Sequence, residues 1–210
     1  MTLRVLLSRS PKVTATTLPD TDRSQGTRAR ILDAAFDAVA TFGLARLTVE
    51  DVARHAGLSR QSVYRYFGSK DELIGALVIR EVDAFLHGVR RVNARHADLE
   101  AAMRESALFC LRTLRQHPLL DRLLASEPES VLPYLTTRAG PVIASASEVL
   151  EEMAAERLGA SSGLVHRTAE VAVRAIVSYA LTPSDDEVED VAAELARILA
   201  SALEVEKDMR

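Results

Sequence analysis

Between Thr48 and Lys70 the chain concentrates side chains able to touch a nucleic acid: Thr48, Arg60, Gln61, Ser62, Tyr64, Arg65, Tyr66 and Lys70. At about 100° per residue, Arg60, Gln61, Tyr64 and Arg65 fall within one arc of roughly 140° on a short helix, with Ser62 completing the set. Val63 and Phe67 project from the other side, where a core can take them. Arg pairs with guanine O6/N7 and Gln with adenine N6/N7, so Arg60 and Gln61 suit base edges in a major groove. Thr48, Tyr64, Tyr66 and Lys70 suit phosphate oxygens, which position a helix without reading sequence. Competing chemistries have little to stand on. The chain has no phosphate-cradling Gly-rich loop, no G-x-S-x-G and no cluster of metal-ligating side chains, so no catalytic residue, cofactor or metal site is expected.

Those side chains need a rigid mount, and the flanking residues describe one. Thr48 stands three residues before Asp51, close to the capping-box pattern, and Val49, Val52 and Ala53 give the following helix an apolar face. Gly57 ends it, since a residue without Cβ takes the left-handed conformation that stops a helix. Leu58 fills the gap and Ser59 caps the next helix. The spacing Ala53-x3-Gly57-x5-Val63 is what two helices meeting at a tight turn demand, a helix-turn-helix. Ser69 and Glu72 form a second capping box, which puts Lys70 at a helix start, a favourable place for an anion. Two alternatives stay open: an all-α enzyme, or a dimeric small-molecule-binding protein, either using the helix-turn-helix only as scaffold.

Charge is distributed in keeping with a polyanion partner. The 210 residues carry a net charge of −4, yet residues 1–70 hold 11 basic and 6 acidic side chains against 15 and 24 in residues 71–210. A basic head on an acidic body follows. No window of about 20 residues is free of charge, so no transmembrane helix and no membrane partner are expected. The apolar run Val5-Leu6-Leu7 is too short for a signal peptide, and the single cysteine, Cys110, cannot form an internal disulfide. A cytoplasmic protein is expected.

Residues 1–26, with Pro11, Pro19, Gly26 and many Ser and Thr, read as a disordered leader, either a silent tail or an arm for the minor groove. From Thr27 the pattern is helical throughout, giving an all-α fold: a three-helix head over 27–70 and a larger helical domain over 71–210. In the last helix Val188, Val191, Leu195, Ile198 and Ala202 are spaced as a heptad seam, beside a second stripe of Ala192, Leu199 and Leu203. The helix before it, with Ala172 and Ile176, is apolar or small nearly all round and should be buried on every face. Together they predict an intermolecular four-helix bundle, a homodimer, the alternative being a monomeric core. Met103, Phe109, Cys110, Tyr134, Met153, His166 and Tyr179 lie on the helices that would enclose a ligand.

The run TVEDVARHAGLSRQSVYRYFGSKDEL over Thr48–Leu73, preceded by Thr41-Phe42-Gly43, resembles the tetracycline-repressor (TetR/AcrR) family. The resemblance covers roughly residues 28–75. It implies a DNA-binding head, a ligand-binding helical domain, and a homodimer on a palindromic double-stranded operator, in most members a repressor released by a small molecule. Carried onto this chain, its DNA contacts fall on Thr48, Arg60, Gln61, Tyr64, Tyr66 and Lys70, with Arg60 and Gln61 where the family varies most.

Overall fold

The computed structural model describes residues 20–159 and 163–208, and within them every regular element is an α-helix. The chain divides into two compact units, residues 1–77 and 78–210.

The first unit holds α1 (Asp20–Phe42), α2 (Val49–Ala56), α3 (Arg60–Tyr66) and the opening turns of α4 (Lys70–Asn93). Helix α2 packs against both α1 and α3. Ile31, Ala35 and Ala38 of α1, Val52 of α2, Val63 of α3 and Leu73 of α4 are almost wholly buried. A buried Val, Leu or Ile contributes about 1.5–3 kcal/mol by leaving water, and such burial holds α2 and α3, helices of 8 and 7 residues that would be unstable alone. Helix α1 starts at Asp20, seven residues before the Thr27 expected for it, and runs through Gly26. Residues 24–26 are exposed, so no apolar period marks these turns; they extend a helix nucleated further on, and propagation is cheap once a nucleus exists. The remainder of the expected leader, residues 1–19, lies outside the described residues.

The second unit holds the rest of α4 with α5 (Leu99–Arg115), α6 (Pro118–Ser126), α7 (Pro128–Leu135), α8 (Gly140–Leu158), α9 (Gly163–Leu181) and α10 (Val188–Asp208). Helix α10 packs along α5, α8 along α9, and α9 against both α5 and α10. One core joins Leu86 and Val89 of α4, Val149 and Met153 of α8, and Val173 of α9. A second joins Ala107 and Leu111 of α5 to Val191 and Ala192 of α10. The C-terminus of α4 is closed by a distant side chain: Arg157 of α8 donates to the carbonyls of Asn93, His96 and Ala97 and to Asn93 Oδ1 at 2.8–3.2 Å. Carbonyls left over at a helix end are thereby satisfied. At Gly88, α4 approaches α5 so closely that a Cβ would stand 2.6 Å from Phe109 Cζ.

Candidate nucleic-acid interface and ligand cavity

The turn between α2 and α3 is built as its residues dictate. Thr48 Oγ1 accepts from the Asp51 N–H at 3.1 Å and donates to Asp51 Oδ2 at 2.5 Å. Asp51 also pairs with Arg54 one turn on. Gly57 adopts φ +63°, and the Gly57 and Leu58 N–H groups bond back to the carbonyls of Arg54 and Ala53. That paired closure satisfies the last carbonyls of α2 and turns the chain. Ser59 then caps α3 by accepting from the Ser62 N–H at 3.1 Å, and Ser69 caps α4 by accepting from the Glu72 N–H at 3.1 Å.

Helix α3 carries two unlike faces. Val63 and Phe67 are buried, whereas Arg60, Gln61 and Arg65 are exposed and Ser62, Tyr64 and Tyr66 half-exposed. Thr48 is exposed at the start of α2 and Lys70 half-exposed at the start of α4. Arg60 donates to the Tyr64 hydroxyl at 3.3 Å, with its guanidinium 5.4 Å from the ring centre. That hydrogen bond raises the Arg60 pKa above its already high ordinary value, so the side chain is a fixed cation. Arg65 stands 5.8 Å over Tyr66 in the same manner. The three-residue separation from Thr48 to Asp51 was legible as a cap; Arg28 was not. Its guanidinium lies 4.5 Å over the Phe67 ring and ties α1 to the end of α3, a contact between residues 39 positions apart that no local spacing announces.

A cavity of about 540 Å³ opens in the second unit, within the range of small-molecule sites. Phe85 and Val89 of α4, Leu120 and Leu124 of α6, and Val173 and Val177 of α9 supply much of its apolar wall; Arg115 and Asp121 are its charged lining groups. A smaller cavity of about 100 Å³ lies beside it, and Val89, Cys110, Leu150 and Ile176 line both. Of the ligand residues expected from sequence, Met103, Cys110 and Met153 line the smaller cavity, and Cys110 the larger as well. Phe109 stacks on Phe85 at 5.7 Å, behind the wall. Tyr134 lies under Arg138 at 5.1 Å. Tyr179 packs on the α5–α10 core and lends its carbonyl to Arg115 at 3.1 Å. His166 is on the surface, its Nδ1 2.7 Å from Glu151 Oε1. Cys110 has its thiol pushed up to about 12 by desolvation, which makes it a neutral piece of wall. Among the described residues no cluster of three or more His, Cys, Asp or Glu is arranged to hold a metal, and no helix is long and apolar enough to cross a membrane.

The heptad seam is divided. Val188, Val191 and Leu195 pack within the chain against the core shared with α5, and Ala172 and Ile176 of α9 also face inward, onto the small cavity. Ala202 is half-buried. Ile198 is 51% exposed, and so is a residue outside the expected seam, Val171 of α9, at 58%.

A capped helix-turn-helix with an exposed Arg/Gln/Arg face, set before a separate helical unit, defines a DNA-binding transcription regulator. The family model for bacterial regulatory proteins of the tetR family matches residues 31–77, and that for the bacterial tetracyclin repressor C-terminal domain matches residues 98–201. The transcriptional regulator AlkX of Mycobacterium tuberculosis is 32% identical, the match covering 82% of each chain. The crystal structure of the TetR-family repressor AlkX from a Dietzia strain superposes with a TM-score of 0.69 at 28% identity, covering 83% of this chain and 96% of that one. RolR, solved with resorcinol, shares the fold at 14% identity and a TM-score of 0.59, covering 88% of this chain and 95% of that one. The chain belongs to the TetR family of helix-turn-helix transcription regulators, proteins that bind DNA and are not enzymes.

Proposed function

We propose that the chain is a ligand-released repressor that binds a palindromic operator as a homodimer. The observation that carries the reading is the pairing of an exposed Arg60–Gln61–Arg65 face on α3 with a cavity of about 540 Å³ in the other unit. Arg60 and Gln61 read base edges; Thr48, Tyr64, Tyr66 and Lys70 hold phosphates, with Ser62 and Arg65 at the same face. The Dietzia relative is a repressor implicated in biodegradation of n-alkanes, and RolR was solved as a resorcinol complex; both favour an apolar or aromatic effector for proteins of this shape.

For the dimer, the exposed side of α9 and α10 is the better surface. Val171 lies ten residues before the end of α9 and Ile198 ten residues after the start of α10. The short connection 182–187 folds one helix back along the other, so the two exposed side chains sit at a similar height. Arg174 with Glu170 and Arg197 with Glu194, both at 2.6 Å, flank them with intrahelical ion pairs. An apolar centre with a charged rim is the anatomy of an interface.

The experiment is to sequence genomic DNA retained by the purified protein and to titrate the recovered duplex. A palindrome bound by two chains, with half-sites about 34–36 Å apart, is the expected outcome. Duplex binding without sequence preference would overturn the reading.

A further inference from the structure

We infer that the second unit binds an alkyl or aryl-alkyl carboxylate, its head held by Arg115 and its tail passing Cys110 into the smaller cavity. The inference deepens the ligand-released reading and rests on it only for its biological consequence.

Arg115 is the reason for the head group. It is a guanidinium in the lining of a largely apolar cavity, and one of its N–H groups donates to the Tyr179 carbonyl at 3.1 Å. Its Nε is buried and has no hydrogen-bond partner. A buried donor without an acceptor is a standing cost, and among the described ion pairs none gives Arg115 a carboxylate. The unmet demand is therefore for an acceptor, best a charged one, because a guanidinium pairs with carboxylate through two parallel hydrogen bonds. Asp121 lines the same cavity but is exposed; water solvates it, so it neither neutralises Arg115 nor needs a ligand cation.

The two cavities give the tail its path. Val89, Cys110, Leu150 and Ile176 border both, so a ligand longer than the larger cavity needs only small shifts of this partition to continue. A neutral thiol suits that position, being small and apolar. Beyond it the smaller cavity is again mostly apolar and contains one buried hydroxyl without a partner, Ser106 Oγ.

Calorimetry on the full chain, without DNA, tests this with n-alkyl carboxylates of about eight to about sixteen carbons, and with the alcohol and amine of matched length. The carboxylate should bind best, and Arg115→Gln should weaken it about ten- to a hundred-fold while leaving the alcohol within a few-fold. Because Arg115 also supports the Tyr179 carbonyl, retained alcohol binding reports that the variant cavity is intact. Cys110→Phe should block the partition and shift the preferred chain to a shorter one. An amine or alcohol bound as tightly as the carboxylate by the wild type, or an unchanged carboxylate affinity in Arg115→Gln, overturns the head-group assignment. An unchanged length preference in Cys110→Phe overturns the path. Carboxylate binding that leaves operator affinity untouched would refute ligand release and leave this site standing.

Discussion

The proposed operator complex divides single side chains in the head into base readers and phosphate holders. Arg60→Ala should relax preference at one position of each half-site at a cost of about 1–3 kcal/mol per contact. Lys70→Ala should weaken all duplexes alike and flatten the dependence of affinity on salt, since a phosphate contact releases counterions whatever the sequence. Binding to randomised and selected duplexes at several salt concentrations separates the two effects. His117 makes a different kind of prediction. Its Nδ1 accepts from the Leu120 N–H at 3.1 Å and so caps α6, whose Leu120 and Leu124 line the large cavity. Burial lowers the His117 pKa below its ordinary 6.5, with Glu81 opposing. The folded state thus prefers the neutral ring: the contribution is present above the unfolded value and is lost as pH falls through it towards the lower folded one. Thermal melts from pH 7.5 to 5.5 should show a steeper fall for wild type than for His117→Ser, which keeps a capping oxygen but cannot titrate. Parallel curves for the two proteins would show that the cap does not titrate.

At the scale of elements, glycines mark where the backbone leaves no choice. Gly57 sits at φ +63°, and a Cβ added there would meet nothing within 4 Å, so Gly57→Val is disfavoured by conformation alone, by about 1–2 kcal/mol. Gly88 is the opposite case: its helix is regular, and the conflict is with the Phe109 ring, 2.6 Å from where a Cβ would stand. Gly88→Ala must push that ring against Phe85, stacked on it at 5.7 Å, and should cost about 1–3 kcal/mol in chemical denaturation, as overpacking does. The first glycine could be read from Ala53-x3-Gly57-x5-Val63, because a turn is a local event. The second could not, since its partner comes from another helix. Helix α1 shows the same limit from the other side: its exposed early turns, with Gly26 among them, carry no apolar period and become helical as an extension of Ile31–Val39.

For the whole molecule the dimer is the decisive prediction. Val171→Glu with Ile198→Glu should give a monomer by sedimentation with the melting temperature nearly kept, because both side chains are exposed in the single chain. Operator affinity should then fall by orders of magnitude, as one half-site loses the effective concentration supplied by the other. Leu195→Glu should instead destabilise the fold itself, its side chain being packed on the α5–α10 core and lining the small cavity. A stable dimeric Val171→Glu/Ile198→Glu variant with normal operator binding would place the interface elsewhere.

By itself the sequence determined what depends on neighbours along the chain: helical class, the capped turn, and the outward set Arg60, Gln61 and Arg65, all consequences of spacing within a turn or two. Tertiary structure decided what depends on which helix meets which. A stripe such as Val188–Val191–Leu195 states that a face is apolar, and the hydrophobic effect is non-directional, so spacing is silent on whether the partner is α5 or a second chain. The cavity is the same case. Residue type alone points to Met, Tyr and His, yet Arg115 is the cation in its lining because α5, α6 and α9 leave space around a guanidinium that one carbonyl only partly satisfies.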